Sequence, residues 1–137
     1  MVAYSFKARF AAPITAGTKR QTIRAPRKRH ARPGEEVQLY TGMRTRQCRL
    51  VGRATCRAVR RVQIEITDVD WANYVEIDGV PVADLDAFAR SDGFADWSDM
   101  VAFWRKEHPS SDPDRLSFSG VMIEWGDLIP ATPTSAE

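Results

Sequence analysis

The stretch QCRLVGRATCRAVRRVQIEITD, residues 47–68, constrains the fold more than any other part of the chain. Arg49, Val51, Arg53, Thr55 and Arg57 fall in one register, and Cys48, Leu50, Gly52, Ala54 and Cys56 in the other. A period of two puts these sets on opposite faces of an extended strand. The run is too β-branched, and its arginines alternate too regularly, for a helix. Gly52 marks a bulge or bend, and VQIEIT alternates again. The segment is therefore expected to be one bent or twice-broken strand.

Shorter strands surround it. In AYSFKARFAAPI, Tyr4, Phe6, Ala8 and Phe10 share one face, with Ser5, Lys7 and Arg9 on the other, until Pro13 ends the strand. ITAGTKRQ reads as a single helical turn closed by Gly17. QTIRA has strand character and stops at Pro26. PRKRHARPGEE is a polar, proline-bounded loop with a turn at Pro33-Gly34. EVQLYTG sets Val37 and Leu39 opposite Gln38 and Tyr40.

Two helices follow. Val82, Leu85, Phe88 and Ala89 recur at helical spacing, as do Met100, Val101, Phe103 and Trp104. Gly93 turns the chain between them, Asp96 is the expected N-cap with Asp99 three residues on, and Pro109 ends the second helix. LSFSGVMIEW is a last strand. The order predicts an α+β fold: a small, mostly antiparallel β-barrel with two or three flanking helices. Residues 1–127 form one domain, and 128–137 a flexible tail.

Charge divides the chain sharply. Residues 1–61 hold 16 Lys/Arg and 2 Asp/Glu, whereas 62–137 hold 4 and 16, giving +14 against −12. Either a basic surface faces a polyanion, or the halves neutralise each other across the fold. Much of the positive charge lies in GTKRQTIRAPRKRHARPGEE, residues 17–36. The two cysteines share a parity and read as reduced core thiols. With two distant histidines they make no metal site, and no cofactor is expected. His30 is expected at the surface, and His108 near a helix C-terminus. Most of Trp71, Trp97, Trp104 and Trp125 are expected in the core; Tyr40 is the better stacking residue for a base. There is no apolar run of membrane length and no signal-peptide pattern, so a cytoplasmic protein without a membrane partner is expected.

The succession FAAPITAGTKRQTIR, RPGEEVQLYTG, CRLVGRATC and DGFADWSDMVAFW, closed by a terminal strand, resembles the ASCH domain family from about Ala3 to Trp125. Its most specific elements are GTKRQTIR and DGF. The resemblance implies the PUA-like fold, a small β-barrel often used to bind RNA. Within the family, some members are RNA-binding or coactivator modules, some are linked to ribonuclease activity, and a bacterial type deacylates N4-acetylcytidine. In that last type a lysine and a threonine of the GxKxxTIR loop act with a later carboxylate. These fall on Lys19, Thr22 and Asp92, although the amidohydrolases carry a glutamate where this chain has Asp92.

A threonine hydroxyl needs a neighbouring base. Lys19 can serve as one only if like charge from Arg20 and Arg24, or burial, lowers its pKa. Lys19 is otherwise a phosphate-contacting cation, Thr22 a turn residue, Arg24 a partner of Asp92, and Asp92 a cap on the following helix. Arg20, Arg24, Arg27, Lys28, Arg29 and Tyr40 make up the nucleic-acid or phosphate-binding set. Two functions stand: a module binding RNA or a nucleoside or nucleotide ligand in a basic cleft, which the charge division favours, and a small amidohydrolase.

Overall fold

The computed structural model describes residues 1–109, 112 and 114–131. It is a mixed α+β fold, with eight strands and three α-helices among those residues. The strands are β1 (Val2–Phe6), β2 (Gln21–Arg24), β3 (Glu36–Thr41), β4 (Arg49–Thr67), β5 (Tyr74–Ile77), β6 (Val80–Pro81), β7 (Arg115–Trp125) and β8 (Ile129–Pro130). The helices are α1 (Ala11–Ala16), α2 (Leu85–Ser91) and α3 (Trp97–Glu107). None of them is long and apolar enough to cross a membrane.

The alternating segment is the spine of the sheet. The first half of β4 pairs with β3 and, at Gly52 and Arg53, with β8. Its second half pairs with β7 and β5. Register shifts leave Val51 extra against β3 and Arg57 extra against β7. Each extra residue bends the strand, so the expected two breaks are two bulges in one continuous strand. Gly52 has a steric role: a Cβ there would lie 2.6 Å from the Ile129 carbonyl oxygen.

β1 pairs in parallel with β3, and the other ladders are antiparallel. β2 hangs on the far edge of β7. No ladder joins β1 to β2, so the sheet is not closed into the expected barrel by strand pairing. The two strands are instead bridged by a side chain, Arg24 Nη2 donating to the Ser5 carbonyl at 2.7 Å. Inside the curl, Phe6 of β1 meets Trp125 of β7 edge to face. Ile14, Leu39, Ile64, Val75, Met100 and Ile123 fill the core beside them.

Several elements depart from the sequence expectation. β1 stops at Phe6, and Ala8–Phe10 form a 3-10 turn with Phe10 N–H bonded to the Lys7 carbonyl. Phe10 is still buried because the turn delivers it to Phe94 and Phe103. Pro13 lies within the first turn of α1, where its missing N–H costs nothing. β5 and β6 form an unanticipated hairpin. Its two-residue turn, Asp78-Gly79, has φ of 50° and 82°, the left-handed pair that a tight hairpin needs. Ile129 and Pro130 belong to the sheet, so the tail expected from residue 128 does not begin there; residues 132–137 lie outside the described ones.

Both helices form, with the expected Asp96 cap on α3, but α2 begins only at Leu85, leaves Val82 outside and is capped by Asp84, which the sequence reading did not single out. Asp84 and Asp96 cap α2 and α3, accepting from Ala87 N–H and Asp99 N–H at 2.9 Å each. Trp104 and Trp125 are buried, Trp97 is half-buried and Trp71 is exposed. Cys56 is buried, and burial pushes its thiol pKa up. Cys48 precedes β4 and is exposed, so it is not the core thiol expected from parity.

Candidate active site

The site begins where α1 ends. Gly17 takes the left-handed conformation that caps the helix, and the N–H groups of Thr18 and Lys19 both bond to the Pro13 carbonyl. That turn sends the Lys19 side chain inward, leaving it 3% exposed. From the other direction, α2 ends on Asp92, whose N–H bonds back to Phe88 and Ala89. Gly93 then reverses the chain with φ 98°. Asp92 is therefore a C-cap, and Asp96 performs the N-capping of α3.

Lys19 and Asp92, far apart in sequence, meet in the interior. Lys19 Nζ donates to the Asp92 carbonyl at 2.6 Å and to its carboxylate Oδ1 at 3.4 Å. It also lies 4.9 Å from the Phe10 ring centre and 5.5 Å from that of Phe6. The carbonyl is at the negative end of α2, where a cation is favoured. Gln21 Nε2 holds the same carboxylate oxygen at 3.3 Å. Burial is the first influence on both charged groups. It lowers the Lys19 pKa, which Asp92 pulls back up and Arg24 pushes further down. It raises the Asp92 pKa, against the opposing effects of Lys19, Gln21 and Arg24. Both shifts bring the neutral amine and acid closer in energy to the ion pair than they are in water.

Thr22 and Arg24 alternate along β2 and so share its inner face. Thr22 is 4% exposed and its Oγ1 accepts from Arg24 Nε at 2.9 Å. Its own hydroxyl proton has no acceptor among the described residues. Arg24 packs over the Tyr4 and Phe6 rings at 5.3 and 5.0 Å. Lys19 and Thr22 are not hydrogen-bonded to each other; each is held by a different partner.

Lys19, Thr22, Arg24 and Asp92 all line one open cavity of about 680 Å³. That volume is in the range of pockets that take small molecules. Aromatic rings of Phe94, Phe103, Trp104 and Phe118 supply much of the remaining wall. The loop after β3 contributes Gly42, Met43, Thr45 and Gln47.

No family model matches the chain, and no curated protein or solved structure matches it either.

The rest of the basic set lies outside the cavity. Arg20 pairs with Asp127 at 2.8 Å on the surface. Arg29 engages both oxygens of Glu35, and with the Arg32 N–H it holds that carboxyl down to about 2. Lys28 is exposed. Arg27 lies 4.8 Å over the Tyr4 ring and donates from Nε to the Arg29 carbonyl. Tyr40 is half-buried, donates to Gln38, and does not reach the cavity.

His30 is half-buried and fixes the basic loop, where a free surface position was expected. The Ala25 carbonyl can only accept, so Nε2 of His30 carries the proton at 2.9 Å. Nδ1 then accepts from the Tyr4 hydroxyl, which itself accepts from Ala31 N–H. His108 stacks on Trp104 at the end of α3 and joins the cavity wall.

Gln21 and the two phenylalanines under Lys19 carried no sequence signal of their own. Gly93 did. A Cβ there would lie 2.8 Å from Lys19 Cδ and 2.9 Å from the Phe10 ring, at a φ that side chains avoid. Gly93→Ala is expected to cost roughly 1–3 kcal/mol and to displace Lys19. Chemical denaturation together with the Lys19 amine NMR resonance checks both effects.

Proposed function

We propose that this protein is an ASCH-type amidohydrolase that deacylates an N-acylated cytidine-type nucleoside, with Thr22 as nucleophile and Lys19 as general base. The observation that carries it is the shared cavity: it is lined by a buried lysine whose pKa burial lowers and by a threonine whose oxygen accepts from Arg24 and whose proton has no acceptor among the described residues.

In the first half-reaction, Thr22 Oγ attacks the amide carbonyl carbon and its proton passes to the neutral Lys19 amine, directly or through one water once substrate is seated. Arg24 stabilises the oxyanion. The C–N bond breaks, the Lys19 proton goes to the departing amine, and an acyl ester remains on Thr22. Water then attacks the ester carbonyl and gives a proton to Lys19. The ester C–O bond breaks, and that proton returns to Thr22. Asp92 and Gln21 keep Lys19 in place and share its charge.

Incubation with N4-acetylcytidine and chromatographic detection of cytidine tests this; absence of turnover by the wild-type protein rejects it. The reaction is expected to accelerate with rising pH, because the neutral amine grows. Half-maximal kcat/KM falls below 10.5, the ordinary lysine value, because burial lowers it. Asp92→Asn removes the group that raises the Lys19 pKa, so its half-maximum moves to lower pH. A profile that falls toward alkaline pH would exclude Lys19 as base.

A module that only grips RNA through the basic run has less support. Arg20 and Arg29, from that run, and Arg53 and Arg60, from β4, are already engaged by carboxylates.

A further inference from the structure

Two cations without a partner among the described residues lie in the loop that follows β3. The loop Gly42–Cys48 lines the cavity with Gly42, Met43, Thr45 and Gln47, and interleaves them with Arg44 and Arg46. Both arginines are exposed and have no hydrogen bond or ion pair among the described residues. Arg44 has φ 69°, which turns the loop at that point. Across β1, the strand that pairs with β3, Ala25 lines the same cavity and leads directly into Arg27 and Lys28.

Arg27 is also tied to the interior. Lys19 and Arg24 pack on the Phe6 ring, and Arg24 and Arg27 pack on the Tyr4 ring, in steps of 4.8 to 5.5 Å. Three cations separated by two aromatic rings thus run from the buried amine to the surface. The Arg27 Nε is fixed on the Arg29 carbonyl, and its two terminal amino groups have no partner among the described residues. A guanidinium oriented by one fixed hydrogen bond suits a phosphate oxygen better than a freely moving one does.

We propose that the substrate of this cavity is phosphorylated: the base enters toward Lys19 and Thr22, while its phosphate is held at the mouth by Arg27 on one side and Arg44 and Arg46 on the other. This rests on the hydrolase reading for the choice of base alone. The phosphate belongs to a free nucleotide or to a strand, and the shared chemistry is a phosphate ester against an arginine clamp. Neutral nucleosides then bind weakly, and the preference for phosphate fades as salt is added.

Calorimetric titration with cytidine, cytidine 5′-monophosphate and a cytidine trinucleotide separates the cases without requiring turnover. The monophosphate or the trinucleotide is expected to bind about tenfold or more tighter than cytidine. A trinucleotide advantage over the monophosphate identifies a strand; equal affinities identify a free nucleotide. The triple variant Arg27→Ala/Arg44→Ala/Arg46→Ala is expected to lose the preference. Arg61→Ala, which removes an exposed charge on β4 outside the cavity wall, keeps it. Equal binding of all three ligands, binding of none, or a preference unaltered in the triple variant overturns the proposal. Failure of the wild-type protein to deacylate N4-acetylcytidine or its monophosphate rejects the hydrolase reading instead, and leaves the measured phosphate preference to be judged on its own.

Discussion

Lys19→Met is expected to lower deacylation about a thousandfold and to destabilise the fold by about 3–5 kcal/mol. The double variant Lys19→Met/Asp92→Leu is expected to regain most of the stability and none of the activity. The reason is the depth of the pair: Lys19 and Asp92 are 3% and 5% exposed. Removing the lysine leaves a carboxyl whose pKa burial already raises, and takes away the neighbour that most opposes the rise. Asp92 then binds a proton more tightly in the folded state than in the unfolded chain. A raised folded pKa contributes stability that is present in acid and lost as pH rises through the folded pKa. The single variant should therefore unfold more easily at alkaline than at mildly acidic pH. In the double variant both positions of the buried pair are apolar and neither charge is stranded, so this pH dependence disappears. Urea midpoints at two pH values, read alongside product formation, check each part. A double variant that still turns over substrate would reduce Lys19 to a structural partner of Asp92.

The same pair shows how far the sequence could be read. Lys19 and Asp92 are separated by 73 positions, and no periodicity joins them. The family resemblance alone set them together. Local signals fared well where they repeat over many residues or involve a cap. β4 declared itself by alternation and by Gly52, and α3 by its apolar face and Asp96. They failed where an element is too short to show a period. β5 and β6 have four residues and two, and only Asp78-Gly79 marked them. They failed again where tertiary contacts override parity: Phe10 keeps its place in the core through a 3-10 turn, not through a continued strand. The basic loop looked unanchored because Tyr4, which bonds to His30 and accepts from Ala31 N–H, lies 26 positions from His30 in the sequence. Charge division mixed two effects. Arg9 with Asp99 and Arg60 with Glu124 neutralise the two halves against each other, whereas the terminal amino groups of Arg27 and the side chains of Arg44 and Arg46 have no partner among the described residues.

Thr22→Val is expected to reduce kcat by about a thousandfold or more, while Thr22→Ser stays within about tenfold of wild type. Valine matches threonine in shape but has no oxygen to attack a carbonyl. It also deprives Arg24 Nε of its acceptor, so a moderate loss of stability, about 1–3 kcal/mol, accompanies the loss of activity. Arg24 keeps its bond to the Ser5 carbonyl, so the bridge between β1 and β2 survives and the variant folds. Serine keeps both the hydroxyl and the Arg24 contact and loses only a buried methyl group. The pair of variants separates two roles that a single truncation would confuse. If Thr22 only positions Arg24, valine and serine differ in stability but neither approaches inactivity. If Thr22 is the nucleophile, a rapidly quenched reaction shows an acyl mass on the peptide containing Thr22 in wild type and Thr22→Ser, and none in Thr22→Val. Turnover by Thr22→Val with no acylated peptide in any form would assign the attack to water, with Lys19 activating it and Arg24 still binding the oxyanion.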